Sequence, residues 1–238
     1  MQLPLDNSNF FHKQKKFWES SEIRNRRTPD HPVIRAFAEP KINFVLGELY
    51  KFNENVKNLE MLDVGSGNGF LSYYFEKEFK SITCTDFSQA ILDINPCKNK
   101  ILAKAEHLPF PDKSFDVVFS SNILHHLSDP IVALKEMRRV ARKFMIISDV
   151  NRKNFVMNAI GLIKNEERGI AKLPIDYIDE YFNDLGLAIV ARKDFGLILP
   201  NITNKHILPL LAFLERRNFF TPLYSMAIAK ISDENEKK

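Results

Sequence analysis

The chain has 238 residues, of which 45% are hydrophobic and 27% charged. This apolar content excludes a disordered chain, and the length suits one α/β domain with insertions or two small domains. The net charge of +4 is a mild basic excess, well short of a clustered nucleic-acid-binding surface. Cys84 and Cys97 are too few for a disulfide framework and lack the spacing of metal ligands.

Neither a secretory signal nor a membrane span is visible in the sequence. Residues 1–16 lack the apolar core of a signal peptide. The longest apolar candidate, residues 207–214, is under half the length of a span and contains Pro209. These features predict a soluble, cytoplasmic protein.

From Leu59 onward, strand and helix signals alternate along the chain. This alternation predicts an α/β protein with a mostly parallel sheet flanked by helices. Strands are expected at residues 61–64, 81–85, 100–103, 115–120, 144–148, 187–190 and 223–231. Helical spacing of apolar residues predicts helices over 70–79, near 90–94, from Asp129 to 141, and over 175–185. Asp129 and Pro130 form a helix start, and Gly186 suits the position just past a helix end.

Three of the eight glycines fall at Gly65, Gly67 and Gly69, directly after the first predicted strand. Phosphates and nucleosides often bind where a strand turns into a helix, because free N–H groups converge there. A dinucleotide loop would require glycine at position 70, which is Phe70, and Asp63 would repel a pyrophosphate. The spacing therefore disfavours NAD and favours a cationic nucleoside that carries no phosphate.

Asp86 ends the second predicted strand, 21 residues after Gly65. This is close to the spacing of about 20 residues that is typical of a ribose-binding carboxylate. Its two oxygens suit the vicinal hydroxyls of an unphosphorylated ribose. The alternative is that Asp86 only caps the helix that begins near Ser88.

Four successive motifs carry a resemblance to a known family: MLDVGSGNG at 61–69, CTDFS at 84–88, AEHLPFPDKSFD at 105–116 and SSNILHHL at 120–127. Over about residues 59–150 the chain resembles the class I S-adenosylmethionine-dependent methyltransferases, in the branch of the ubiquinone and menaquinone biosynthetic enzymes. The resemblance implies a Rossmann-like, doubly wound, mostly parallel seven-stranded sheet with helical lid insertions. It also implies a methyltransferase with S-adenosylmethionine as cofactor.

The resemblance implies roles for residues at the matching positions. Those expected at the cofactor are Asp63, Gly65, Ser66 and Gly67 at the methionine portion, Asp86 at the ribose, Phe87 on the adenine face, Ala105 and Glu106 at the adenine edge, and Ser120 or Ser121 at the amino-acid end. Lys104 departs from the acidic residue that the family often has there. Because lysine cannot accept a hydrogen bond, adenine recognition would come from the backbone or from Glu106.

His125 and Asn122 are the candidate catalytic residues, since they follow the fourth strand near the expected methyl group. His125 would act as a base or close the pocket, and Asn122 would contact the acceptor. Alternatively, His125 and His126 fill the loop and bond the backbone. No metal is expected, because neighbouring side chains rarely point the same way and no third ligand has suitable spacing.

Residues 1–40 are predicted to form an N-terminal helical cap, and 41–238 the methyltransferase domain. Apolar insertions near 151–173 and 196–222 are expected at the ligand-binding edge of the sheet, as lids over an apolar or lipid-like acceptor or a small metabolite. They could instead complete the core or form a dimer contact. Trp18, Arg35 and Phe37 are candidates for closing the site or pairing with the cofactor carboxylate.

Two other functions compete with a small-molecule methyltransferase. An RNA or protein methyltransferase is disfavoured by the modest charge and the lack of an aromatic and basic RNA module. A non-catalytic nucleoside-binding partner subunit would keep the fold without the chemistry. The expected partners are thus a small-molecule or lipid-like acceptor, no nucleic acid, and a second copy in a homodimer.

Overall fold

The computed structural model describes residues 16–18, 27–217 and 220–231, which form one seven-stranded sheet. The strands are β1 (Glu60–Val64), β2 (Ser81–Asp86), β3 (Asn99–Leu102), β4 (Phe115–Ser121), β5 (Ala141–Val150), β6 (Ile189–Phe195) and β7 (Tyr224–Lys230). Their order is β3-β2-β1-β4-β5-β7-β6, and β7 runs antiparallel to both of its neighbours. The predicted α/β fold with a mostly parallel, doubly wound sheet is confirmed.

Helices cover both faces of this sheet. They are α1 (Pro32–Lys51), α2 (Ser72–Phe75), α3 (Gln89–Ile94), α4 (Pro130–Val140), α5 (Phe155–Ile163), α6 (Tyr177–Asp184) and α7 (Leu208–Arg216). Side chains of one strand alternate between the faces, so Met61 belongs to one apolar cluster and Leu62 to the other. The buried face of α1 packs into the first cluster, and α4 and α6 pack into the second.

Local capping explains where α4 begins and α6 ends. Asp129 Oδ1 accepts hydrogen bonds from the N–H groups of Ile131 and Val132, and Pro130 occupies the first turn. Gly186 lies past the end of α6 with φ +65°, and the Leu187 N–H donates to the Phe182 carbonyl at 2.8 Å. Both predicted boundary signals are confirmed.

Three predicted elements are wrong in extent. The strand expected at 144–148 is Ala141–Val150, because it pairs on both sides, with β4 and β7. The helix expected over 70–79 is a regular helix only at Ser72–Phe75, and the chain continues to Phe79 in turns. The strand expected at 187–190 is Ile189–Phe195, because this edge strand pairs only with β7 and carries exposed polar residues. An edge strand with solvent on its open side loses the apolar pattern by which sequence predicts it.

The predicted domain division at residues 40 and 41 stays a prediction, although α1 crosses this position without interruption. Most of the predicted cap, residues 1–15 and 19–26, lies outside the described residues. The insertion near 151–173 contains α5, and the one near 196–222 contains α7. They follow the carboxyl ends of β5 and β6, which run in the same direction. Among the helices that the structure describes, none combines the length and the apolar character needed to cross a bilayer.

Candidate functional site

A cavity of about 330 Å³ opens at the carboxyl ends of β1, β2 and β4. The predicted site residues that line it are Asp63, Gly65, Ser66, Gly67, Asp86, Phe87, Ala105, Glu106, Ser121, Asn122 and His125. Parallel strands bring their carboxyl ends to one edge of a sheet, which is why motifs far apart in the chain meet there. Their roles toward a ligand stay predictions.

The loop after β1 depends on left-handed glycines, with φ values of +69°, +55° and +77° at Gly65, Gly67 and Gly69. A Cβ on Gly65 would lie 2.4 Å from the Ile123 side chain, so packing as well as backbone conformation requires glycine there. Around Gly67 there is more room, since a Cβ would meet only Ile91, at 3.9 Å. The unusual backbone expected from the glycine cluster is therefore present.

Asp86 ties this loop to the end of β2. Its Oδ2 accepts the Gly67 N–H and its Oδ1 accepts the Ser88 N–H, both at 3.0 Å. Burial raises the pKa of Asp86 to about 6, against the effect of these hydrogen bonds. Ser88 is the N-cap residue of α3, so Asp86 holds the chain just before this helix but accepts no N–H of its first turn. The Phe87 N–H also bonds this carboxylate, which leaves one of its roughly four acceptor positions for a ligand hydroxyl.

Asp63 is the second buried carboxyl group at the cavity. The Ser72 hydroxyl donates to its Oδ2, and only 3% of the residue is exposed. Burial raises its pKa to about 7, and the nearby charge of Asp86 acts in the same direction. Two carboxyl groups whose charged forms are this poorly solvated favour a cationic ligand between them.

At the end of β4, strand alternation separates the two candidate serines. Phe119 and Ser121 line the cavity, whereas Ser120 points to the other face, is buried, and does not line it. Of the two serines predicted as alternatives at the amino-acid end, Ser121 is therefore the one at the cavity. Asn122 follows with φ +57°, a conformation that asparagine tolerates, and its buried Oδ1 has no hydrogen-bond partner among the described residues.

The proposed adenine end of the cavity is lined by Phe87, Ala105 and Glu106, together with Lys104 and Ile91. Lys104 forms an isolated antiparallel bridge with His107, so the chain turns at this point. Glu106 and the neighbouring backbone line the cavity, and their recognition of adenine stays a prediction.

His125 is held between two carboxylates. Its Nδ1 lies 2.6 Å from Asp149 Oδ1, and its Nε2 lies 3.1 Å from Glu167 Oε2. Burial alone would lower the pKa of His125, but the charges and hydrogen bonds of Asp149 and Glu167 raise it above its ordinary value. The ring is thus stabilised as a cation and is a poor proton acceptor.

The two neighbouring histidine rings lie side by side, with centroids 4.0 Å apart. Burial and the adjacent His125 lower the pKa of His126 to about 3, so its ring is neutral. Its Nδ1 is buried with no hydrogen-bond partner among the residues that the structure describes. The expectation that adjacent histidines point apart is wrong here, since both rings of the short 3-10 helix Leu124–His126 line the cavity.

Of the three N-terminal candidates, Trp18 and Phe37 line the cavity. Trp18 also makes an edge-on contact with the His126 ring, at 5.2 Å between centroids. Arg35 does not line the cavity: its side chain is more than half exposed and lies 3.9 Å from Glu39. Pairing of Arg35 with a bound carboxylate is not supported by this position.

Sequence reasoning missed four residues that organise the site. Ser72 holds Asp63, Asn95 donates to the Gly67 carbonyl at 2.9 Å, and Asp149 and Glu167 flank His125. Asp149 carries a usable signal, since it is the single carboxylate of β5 and closely follows the apolar run 144–147. Glu167 carries none, because only the fold of the insertion brings it to the site.

Comparison with known proteins places this site in context. Residues 62–144 match the family model described as "Methyltransferase domain". The tRNA U34 carboxymethyltransferase of Nautilia profundicola is 37% identical over 106 residues, which cover 40% of this chain and 35% of that protein. The ubiquinone/menaquinone biosynthesis C-methyltransferase UbiE of Haemophilus ducreyi is 32% identical over 99 residues, covering 36% of this chain and 38% of that one. The chain therefore spans less than two fifths of the length of either relative.

A solved structure supports the fold over almost the whole chain. Magnesium protoporphyrin IX methyltransferase from Synechocystis PCC 6803, with bound S-adenosylmethionine, aligns with a TM-score of 0.60 at 13% identity. The alignment covers 98% of this chain and 100% of that chain. The predicted resemblance to class I methyltransferases of the ubiquinone and menaquinone branch is confirmed.

Proposed function

We propose that the protein methylates an apolar small-molecule or lipid-like acceptor. The premise is that residues 62–144 form a methyltransferase domain of the S-adenosylmethionine-dependent class. The single observation that carries this proposal is the lining of the cavity, which extends along the sheet edge from β2 to β5. The glycine loop and Asp86 form one end, and apolar side chains from both insertions form the other.

The residues at the first end fit S-adenosylmethionine. Asp63 and Asp86 are buried carboxyl groups at the cavity, which suit a sulfonium cation and the ribose hydroxyls. Phe87 offers an apolar ring for the adenine, and Ser121 a hydroxyl at the amino-acid end. The bound cofactor supplies an activated methyl group, so the task left to the chain is to position the acceptor and exclude water.

The second end of the cavity is suited to an apolar acceptor. Its walls include Val150 from β5, Met157 and Ile160 from α5, and Leu199 and Ile202 from the second insertion. An acceptor bound here would be shielded from water beside the methyl donor, which favours a hydrophobic molecule over a nucleic-acid strand. The polar groups at this end, Asn122 and the histidine pair, would orient the acceptor.

The outer face of α5 bears on the acceptor and on oligomeric state. Phe155, Leu162 and Ile163 are 72%, 71% and 80% exposed. An apolar surface beside the lid suits delivery of a lipid-like acceptor, and contact with a second copy in a homodimer is its competing use.

We place the protein in the cytoplasm, in keeping with Cys84 and Cys97 as buried free thiols.

Cofactor binding is tested by calorimetry of the purified chain with S-adenosylmethionine, S-adenosylhomocysteine and NAD. We expect the first two to bind and NAD not to bind. Binding of NAD alone would refute the proposal. A protein that binds both nucleosides but transfers no methyl group to any extract fraction would fit the non-catalytic partner subunit instead.

Acceptor class is tested with methyl-labelled cofactor and fractionated cell extract. We expect label in the organic-soluble fraction, and none when heat-denatured protein is used. Label confined to RNA would overturn the proposed acceptor and favour the activity named for the Nautilia relative. Label confined to protein would overturn it as well.

A further inference from the structure

The histidine pair and Glu167 bring three metal-ligating side chains together at the cavity. One ligand atom from each of His125, His126 and Glu167 can be chosen so that all three lie within 4.8 Å of one another. We propose that these three residues bind a divalent transition-metal ion of the Zn²⁺ class at the acceptor end of the cavity.

The distances suit such an ion. Zn²⁺ binds nitrogen and oxygen at about 2.0–2.1 Å, so ligand atoms of a tetrahedral site lie about 3.3 Å apart. The separation of His125 Nε2 and Glu167 Oε2 is 3.1 Å. The ring of His126 is 4.0 Å from that of His125, between centroids, and a nitrogen of each ring lies within 4.8 Å of a Glu167 oxygen.

The hydrogen bonding around each ligand atom also suits a metal ion. His125 Nδ1 contacts Asp149, as is typical of histidine metal ligands, and an ion bound at Nε2 would displace the proton that the cationic ring holds there. The buried Nδ1 of His126 lacks a hydrogen-bond partner among the described residues, which is costly unless a ligand uses it. Two imidazoles and one carboxylate form a ligand set typical of catalytic Zn²⁺, with a fourth position open to the cavity.

The lid is built to bring Glu167 to this position. A Cβ on Gly169 would lie 1.5 Å from the His125 carbonyl oxygen, so only glycine allows the insertion to pack against the histidine loop. Glu167 lies two residues before it, in the short helix Asn165–Glu167. Gly169→Ala therefore displaces Glu167 without removing any of the three ligands.

The test is a titration of the full chain, freed of metal by chelation, with Co²⁺ and with Zn²⁺. We expect one equivalent of Co²⁺ to bind, with visible absorption bands typical of a tetrahedral site, and Zn²⁺ to displace it. Glu167→Gln, His126→Ala and Gly169→Ala should each weaken binding at least about tenfold. His206→Ala, which removes an exposed histidine, should bind as the unaltered chain does.

Three results would overturn the proposal: no stoichiometric binding, equal binding by all variants, or an adventitious ion only, shown by loss of the signal in His206→Ala. Thermal unfolding of each variant checks that it folds, and Glu167→Gln, the mildest change, decides if another variant does not. S-adenosylmethionine binding is measured on the same samples. Cofactor binding without metal binding would refute the metal site alone and leave the proposed function standing.

Discussion

The Gly67 N–H donates to Asp86 Oδ2 across 3.0 Å and so joins the glycine loop of β1 to the end of β2. This bond places the carboxylate that we assign to the ribose against the loop that we assign to the methionine portion. One carboxylate thereby orders the loop and faces the cavity.

Replacing this carboxylate should weaken cofactor binding. In Asp86→Ala the charge-assisted hydrogen bonds to the ribose are lost, which should cost about 1–3 kcal/mol of binding free energy. Calorimetry with S-adenosylhomocysteine measures the loss. Asp93→Ala, at an exposed carboxylate on α3, is the matched control. Unchanged affinity in a folded Asp86→Ala protein would refute the ribose assignment.

Cofactor affinity should also depend on pH. The pKa of Asp86 is raised to about 6, so the group is protonated below that pH and its charge is lost. Asp63, with a pKa of about 7, acts in the same direction. Affinity for S-adenosylmethionine should therefore rise from pH 5 to pH 7.5, by at most about tenfold per pH unit for each proton released. A flat profile in calorimetry across this range would contradict the role of these carboxylates.

Lys41 should make folding stability depend on pH. Its ammonium is buried in α1, 3.5 Å from the Phe37 ring centroid and 4.4 Å from that of Tyr224. Burial lowers its pKa from 10.5 to about 7, although Glu215 opposes this. Between these two values the unfolded chain binds more protons than the folded one, so the free energy of unfolding rises with pH.

Lys41→Met should remove that dependence. We expect the variant to be more stable than the unaltered chain at pH 7, and the difference to shrink by pH 9, as measured by urea unfolding. Lys51→Met changes an exposed lysine of the same helix and should leave the pH profile as it is. A Lys41→Met protein that is less stable at pH 7 would show that the contact with the aromatic rings outweighs the cost of burial.

The glycine loop should tolerate no side chain at Gly69. There φ is +77°, and a Cβ would lie 2.6 Å from Asn95 Oδ1. Gly69→Ala should lower the free energy of unfolding by more than the roughly 1–2 kcal/mol that left-handed backbone alone costs.

Two matched substitutions separate the contributions to this loss. Gly186→Ala has φ +65° in open space and measures the backbone term alone, whereas Gly47→Ala lies in α1 with open space around it. The second should stabilise the protein by roughly 0.5–1 kcal/mol. If Gly69→Ala costs no more than Gly186→Ala, the contact with Asn95 does not constrain the loop.

Local signals in the sequence determined most of the fold and one half of the site. Asp63 lies in β1, the three glycines follow it, and Asp86 ends β2. Their positions therefore follow from the order of the strands and helices alone. Capping residues such as Asp129 and Gly186 act on their own neighbours, and both predicted helix boundaries are correct.

Only the tertiary structure decided the rest of the site. The choice of Ser121 over Ser120 depends on which face of β4 meets the cavity. Successive side chains of a strand point to opposite faces, so a register shift of one residue would exchange the two serines. Glu167 reaches His125 because the insertion after β5 packs on the histidine loop at Gly169. No local periodicity encodes a contact between residues 42 positions apart in sequence. This contact is set by the packing of the whole insertion, whose composition indicates only that it is apolar.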